Sequence, residues 1–362
     1  MFSKLTVRDA RPRGQNVLVR VDYNVPLKDG VITDDLRIRA SLPTIEYLKK
    51  KGARRIILCS HLGRPEGKKV PELSLRPIAE RLKALLGEDA KVNFVGDVSG
   101  PDVEEAVEKT PVGGILLLEN LRFFPGEEAN SAEFAREIAE STHADLFVQD
   151  GFAVIHRAHA STDAITKEIP SVAGLLLEKE VSELTKVAEN PAHPFVMILG
   201  GAKVDDKQPL IEKIAPKAEK VLVGGKIAAD GYAVPADLTD KVIVAGDFAT
   251  DGEGAKLDIA EAEVDKFIEI IKTAKTILWN GTLGKVEDPE FAKSSEKIAF
   301  ALAEATKNGA TTVICGGDTT GFIENLQAKN PDLQYSLVST GGGASLELLS
   351  GLSLPGLENL DE

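Results

Sequence analysis

The sequence predicts an α/β protein made of two doubly wound, parallel-sheet (Rossmann-like) domains joined by an interdomain helix. Three observations carry that expectation. Short β-branched, apolar runs recur: NVLVRVDYN, RRIILCS, VNFVG, GILLLEN and DLFVQD in the first half, then PFVMILGG, KVLVGG, KVIVAG, KTILWNG, TTVICGGD and YSLVSTG. Nearly all are continuously apolar, as strands buried on both faces are, and segments of helical period such as SLPTIEYLKKKG and SEKIAFALAEATKNGA separate them. That alternation means βαβ units and parallel sheets. The chain is also, at 362 residues, longer than one hydrophobic core usually serves.

The seam falls in IPSVAGLLLEKEVSELTKVAENPAHP. Leu177, Val181, Leu184 and Ala188 share one helical face, and prolines at 170, 191 and 194 punctuate the ends. Residues 1–170 are therefore expected as one domain, 171–190 as a bridging helix and 191–345 as a second domain.

Composition excludes several function classes. A formal net charge of −14 argues against nucleic-acid binding, which needs a basic footprint to displace counterions. No apolar run reaches the roughly 20 residues of a membrane span. The opening MFSKLTVRDARPRGQ lacks the apolar core of a signal peptide, so a cytoplasmic location is expected. The two cysteines, Cys59 and Cys315, lie far apart in strand-like runs and read as buried, inert thiols.

In the first half, polar residues gather at the strand ends. VRVDYNVP brings Arg20, Asp22 and Asn24, SHLGRP brings His61 and Arg64, and ENLRFFPGEE and HRAHAS add Arg122, Arg157, His156 and His159. Arg37 and Arg39 stand just before a helix-like segment, where Arg37 can reach the same region. In an open α/β sheet such ends converge on one edge. Guanidinium forks match phosphate and carboxylate oxygens, while Asp and Asn accept from hydroxyls, so the ligand expected is small, polyanionic and hydroxylated. The two histidines lack a third metal ligand and suit hydrogen bonding or phosphate contact.

The second half carries three glycine-containing strand ends, LGGAKVDDKQPL, ICGGDTTGF and VSTGGGAS. No Walker loop and no dinucleotide fingerprint occurs, which disfavours a Rossmann dehydrogenase. Lys203 and Lys207 supply ammonium groups instead, Gly316 and Gly317 leave room for a phosphate, Asp318 can ligate Mg2+, and Thr319 can donate at a helix start. Glu287, in WNGTLGKVED, can accept from ribose hydroxyls.

These stretches, taken in order from VRVDYNVP through TDDLRIRA, SHLGRP, LLLENLRFFPGEEAN, HRAHAS, LGGAKVDDK, WNGTLG and CGGDTT to STGGGASLELLSG, resemble the phosphoglycerate kinases from end to end. The resemblance implies a hinge-bending monomer that transfers a phosphoryl group between 1,3-bisphosphoglycerate and ADP with Mg2+, giving 3-phosphoglycerate and ATP. It assigns Asp22, Tyr23, Asn24, Arg37, His61, Leu62, Gly63, Arg64, Arg122 and Arg157 to 3-phosphoglycerate. It assigns Lys203, Lys207, Glu287, Gly316, Gly317, Asp318 and Thr319 to nucleotide and metal, and Arg37, Lys203 and Gly341, Gly342 and Gly343 to the transferring group. It further implies that the tail, 346–362, returns to the first domain.

Departures from the family pattern concentrate in the second half. Where the family reads a glycine-rich GGG-M-A-x-T-F-L, this chain has GGKIAADGY, with Lys226 as the odd residue. The interval from there to LDIAEAEVDKF is shorter than usual, and Ala260, Glu261, Thr282 and Lys285 replace common residues. DAFG becomes DGFA at 150–153. A shortened C-terminal domain is expected, and the trimmed region motivates a second functional reading, a binding or regulatory protein with a weakened nucleotide site.

Overall fold

The computed structural model describes residues 2–87, 89–203 and 207–362. The chain divides into two compact units, residues 1–179 with 353–362, and residues 180–352.

The first unit holds a six-stranded sheet: β1 (Asn16–Arg20), β2 (Arg55–Cys59), β3 (Val92–Phe94), β4 (Gly114–Leu117), β5 (Leu146–Gln149) and β6 (Ser171–Ala173). Their spatial order is β3-β4-β2-β1-β5-β6, and every pairing is parallel. Alternate residues serve opposite faces. Val17, Val19, Ile56 and Leu58 enter one core cluster, whereas Leu18, Ile57, Cys59 and Phe147 enter another. Helices cover both faces, so the strands read as unbroken apolar runs.

The second unit repeats the plan with β7 (Phe195–Leu199), β8 (Lys220–Val223), β9 (Val242–Val244), β10 (Thr276–Asn280), β11 (Thr311–Cys315) and β12 (Leu337–Val338). The order β9-β8-β7-β10-β11-β12, again all parallel, is the Rossmann order 3-2-1-4-5-6. Its topological switch lies between β7 and β10, where such folds bind ligands beyond the strand C-termini. In the first unit the chain changes direction across the sheet on the far side of β1, between β1 and β5.

Two boundaries differ from the sequence expectation. The bridging helix spans Leu175–Glu189, because Ser171–Ala173 pairs with β5 as the sixth strand. Leu177, Val181, Leu184 and Ala188 are all buried, as their shared face requires. The returning tail begins at Ser353, since helix Gly343–Ser350 packs against helix Gln208–Ile214 within the second unit. The tail is tied by the Leu5 N–H, which donates to the Asp361 carbonyl at 2.8 Å, and by the Asp361 N–H, which donates to the Ser171 carbonyl at 2.9 Å. Cys59 and Cys315 are buried and unpaired.

Candidate active site

In the first unit the polar groups follow the C-terminal ends of β1, β2, β4 and β5. At their floor lies a charge pair that sequence reasoning missed. Arg20 is fully buried; its Nε donates to Ser161 Oγ at 2.7 Å, and its Nη2 lies 4.0 Å from Glu127 Oε1. Glu127, also fully buried, accepts from the Ser161 hydroxyl at 2.6 Å and from the Ser161 N–H at 3.0 Å. An arginine buried at the end of a parallel strand needs such a partner, because an unpaired buried charge is strongly destabilising. Arg20 stood out in VRVDYN, but Glu127 in PGEEAN looked like any surface acid.

Arg20 also sets a tautomer. Its Nη2 lies 3.2 Å from His61 Nδ1, and arginine can only donate, so Nδ1 accepts and Nε2 carries the proton. Burial first, then Arg20 and Arg122, hold the His61 pKa well below the usual imidazole value. His159 is pushed down to about 4 by burial and then by Arg122, Arg20 and Arg157, and His156 is lowered by burial and Arg157. Three neutral histidines thus stand among several guanidinium groups, of which Arg20 faces Glu127, Arg37 faces Asp22 and Arg122 faces Glu128.

The remaining groups are held by backbone contacts. Asn24 Oδ1 accepts from the Gly63 N–H at 2.9 Å, and Arg122 Nη1 donates to the Gly63 carbonyl at 2.9 Å. Gly63 has φ +63°, and a Cβ there would fall 2.8 Å from a Leu73 methyl, so this turn requires glycine. Buried Asn120 braces the loop by accepting from the N–H groups of Leu62 and Arg122 and donating to the Leu62 and Leu73 carbonyls. Arg37 lies in the first turn of helix Leu36–Lys50 and pairs with Asp22, whereas Arg39 turns away to Asp35. Arg64 is exposed and makes no ion pair among the described residues, and Arg157 is half-buried beside His156.

Two residues expected at the substrate are differently employed. The Tyr23 and Leu62 side chains belong to the core, Tyr23 with its hydroxyl 2.9 Å from Ser41 Oγ. The Tyr23 N–H is engaged by Ser60, and the Leu62 N–H and carbonyl are engaged by Asn120. By contrast, Arg122 Nε, His156 Nδ1 and His159 Nδ1 are buried without a hydrogen-bond partner among the described residues. Carboxylates nonetheless stand beside two of them, Glu128 Oε1 at 3.3 Å from Arg122 Nε and Glu127 Oε1 at 3.7 Å from His159 Nδ1.

In the second unit the glycine loops occupy the ends of β7, β10, β11 and β12. At the switch point backbones nearly touch: the Gly201 N–H donates to the Thr282 carbonyl at 2.7 Å, and a Cβ on Gly281 would lie 2.2 Å from the Gly200 carbonyl oxygen. Lys203 is exposed, and Lys207 Nζ donates to its carbonyl at 3.2 Å. Gly316 has φ +98° and precedes helix Gly317–Lys329, which presents Asp318 to solvent in its first turn. Thr319 is turned inward, with its Oγ accepting from the Gly281 N–H at 2.9 Å. It therefore joins two loops where the sequence suggested direct phosphate contact. Glu287 is exposed.

The triple glycine opens helix Gly343–Ser350, with Gly342 at φ +52°. Its approach is anchored by Glu180, a buried carboxylate that accepts from Ser339 Oγ at 2.6 Å, the Thr340 N–H at 2.8 Å and Thr340 Oγ at 2.7 Å. Glu180 gave no signal in sequence, where it reads as one more polar position on a helix.

An arginine-lined basin on one Rossmann-like unit and glycine loops at helix starts on the other define an α/β phosphotransferase. The comparisons name the family. The model described as phosphoglycerate kinase matches residues 7–234 and 236–352, and the chain belongs to that family. The phosphoglycerate kinase of Thermosipho africanus is 42% identical over 99% of this chain and 98% of its own length, and that of Akkermansia muciniphila is 41% identical over 100% and 98%. Among solved structures, phosphoglycerate kinase from Coxiella burnetii superposes with a TM-score of 0.79 at 31% identity, covering 99% of this chain and 98% of that one. The Pyrococcus horikoshii enzyme reaches 0.85 at 28%, covering 98% of each chain.

The Thermosipho alignment spans 402 positions against 362 residues here, so at least 40 of them (402 − 362) have no counterpart in this chain. The family match breaks at Pro235, in the connection from β8 to β9. That connection holds only helix Gly225–Ala229 and the turn Ala236–Leu238, in keeping with the shortened second domain.

Proposed function

We infer that this chain catalyses reversible transfer of the acyl phosphate of 1,3-bisphosphoglycerate to ADP, giving 3-phosphoglycerate and ATP in glycolysis and gluconeogenesis. The observation that carries the inference is the basin in the first unit, where neutral His61, His156 and His159 sit among Arg20, Arg37, Arg122 and Arg157. Asp22 and Asn24 would accept from the substrate hydroxyl, and Arg64, Arg122 and Arg157 would hold its distal phosphate.

The bond that forms joins the phosphorus to a β-phosphate oxygen of ADP, and the bond that breaks joins it to the substrate carboxyl. Both oxygens are anionic when free, so no general base is needed, and catalysis reduces to positioning and charge neutralisation. Arg37 and Lys203 would offset the charge on the transferring group, with N–H donors of Gly341, Gly342 and Gly343 beside it. Lys207, Glu287, Gly316 and Gly317 would hold the nucleotide, and Thr319 would keep their loops in register. Asp318 is exposed with no partner among the described residues, and its carboxylate would hold Mg2+. When bound, that ion supplies further charge neutralisation.

With the two substrates on different units, turnover requires the units to bring them together, bending about Leu175–Glu189, and to shut out water. No helix among the described residues is long and apolar enough to cross a membrane. We extend the family's pattern to a cytoplasmic monomer, which light scattering would check. The function itself is tested with purified protein in a coupled assay of 1,3-bisphosphoglycerate and ADP. Absence of turnover above background with every purine diphosphate would overturn it and favour the binding-protein reading.

A further inference from the structure

We propose that Ser161 and Glu127 are positioning residues for the triose-phosphate end of the reaction: by aiming Arg20 at His61 they keep that imidazole as an Nε2–H donor toward the substrate. This rests on the phosphoryl-transfer function proposed above. It concerns three side chains too deeply buried to touch the substrate, Ser161 at 2% exposure and Arg20 and Glu127 at none.

Two groups compete for His61 Nδ1. Arg20 Nη2 lies 3.2 Å from it and Asp22 Oδ1 lies 3.8 Å from it. Facing a guanidinium, which only donates, Nδ1 must accept and the proton sits on Nε2; facing the carboxylate, Nδ1 would carry the proton and Nε2 would be a lone pair. The choice matters because the ligand is an anion. An Nε2–H donates to a carboxylate or phosphate oxygen, whereas an Nε2 lone pair repels it. The His61 side chain keeps 4% exposure and Nε2 makes no hydrogen bond among the described residues, so its proton is open to a ligand.

Arg20 prevails over Asp22 only if its guanidinium is held in place. Its Nη1 donates to the Val21 carbonyl, and its Nε donates to Ser161 Oγ at 2.7 Å. The Ser161 hydroxyl has one proton, which it gives to Glu127 Oε1 at 2.6 Å, so it can meet Nε only as an acceptor. Glu127 also accepts from the Ser161 N–H at 3.0 Å, and its carbonyl accepts from the Ala160 N–H at 2.9 Å, which fastens PGEEAN to the segment that follows HRAH. Its carboxylate, 4.0 Å from Arg20 Nη2, offsets the buried guanidinium charge. The donor and acceptor roles from Glu127 through Ser161 and Arg20 to His61 are thereby fixed in one direction.

The test reads the tautomer from nitrogen chemical shifts of histidine-labelled protein without substrate, alongside the calorimetric Kd for 3-phosphoglycerate and the nucleotide KM. Wild-type His61 should carry its proton on Nε2. Ser161→Ala keeps both buried charges but deletes the hydroxyl between them. The Nδ1–H signature should then appear at His61, and the 3-phosphoglycerate Kd should rise about tenfold, as for one lost hydrogen bond to a charged group, with the nucleotide KM unchanged. If Ser161→Ala does not fold, Arg20→Met with Glu127→Gln, which removes both charges together, is read the same way. A wild type with the proton on Nδ1, weakened binding with His61 still protonated on Nε2, or a moved proton with binding intact each overturns the proposal. Turnover by the wild type upholds the enzymatic function whatever the tautomer, and a wild type that does not bind 3-phosphoglycerate overturns both.

Discussion

Arg37 Nη1 lies 2.5 Å from Asp22 Oδ2; the aspartate side chain is 6% exposed and the arginine 31%. The carboxylate thus fixes one edge of the guanidinium while the rest stays open to a ligand. Removing Arg37 deletes the charge proposed to face the transferring phosphoryl group but little packed surface. Arg37→Ala should lower kcat by about 10²- to 10³-fold, the usual cost of losing one stabiliser of transition-state charge. The melting temperature should fall far less than the activity, since buried Asp22 loses its ion-pair partner but keeps the Asn24 N–H as a donor at 3.1 Å. A fall in melting temperature that tracks the fall in activity would make Arg37 a structural residue.

Lys203 belongs to the other unit, is exposed, and its ammonium makes no hydrogen bond among the described residues. Its loss cannot disturb the basin that includes Asp22, Asn24 and Arg122. Lys203→Ala should therefore cut turnover by about 10²-fold or more while leaving the calorimetric Kd for 3-phosphoglycerate unchanged. Equal losses of binding and turnover would refute this division of labour.

Much of this was legible in the sequence because parallel strands buried on both faces print as continuous apolar runs, and eleven of the twelve strands in the two six-stranded sheets announced themselves that way. Ser171–Ala173 did not, since three residues beside Pro170 are too short to show a period. Individual polar residues at the strand ends were visible, including Arg20, Asp22, Asn24 and Arg122. Their long-range partners were not. The contacts of Arg20 with Ser161 and Glu127, and of Glu180 with Ser339 and Thr340, join positions far apart in the chain, and a carboxylate that will be buried looks like one that will be solvated. Tyr23 and Leu62 show the converse: residues flanked by site groups need not face the site, because in an extended segment neighbours point opposite ways.

Asp150 and His159 should give stability opposite pH slopes. Burial raises the Asp150 carboxyl from 3.8 to about 7; its Oδ1 accepts from the Leu176 N–H at 3.0 Å at the start of the bridging helix, and Oδ2 has no partner among the described residues. Between those two values the folded state binds more protons than the unfolded, so this group's contribution falls as pH rises and is fully lost above about 7. His159 is depressed from 6.5 to about 4, so there the folded state binds fewer protons, and stability falls as pH drops through that window. Asp150→Asn, which retains an acceptor for Leu176, should gain melting temperature over wild type as the buffer moves from about pH 5 to about pH 8. His159→Gln should gain as pH falls from about 7 to about 4.5. Differences that stay flat with pH would mean ordinary titration of both groups.

Gly281 stands where β10 meets the end of β7, at φ +92°, and its carbonyl accepts from Trp279 Nε1 at 2.8 Å while its N–H donates to Thr319 Oγ at 2.9 Å. A methyl group there would lie 2.2 Å from the Gly200 carbonyl oxygen, which is backbone and held by the sheet. Relief would have to separate the strands at the switch point, so Gly281→Ala should destabilise the second unit by about 3 kcal/mol or more. Nucleotide binding should go with it, and 3-phosphoglycerate binding by the first unit should survive. Thr319→Ala removes only one hydrogen bond between the loops. It should cost about 1 kcal/mol and raise the nucleotide KM with the triose-phosphate KM unchanged, while Thr319→Ser restores both. Should Thr319→Ser fail to restore the nucleotide KM, the methyl group's packing and not the hydroxyl would be what keeps the loops in register.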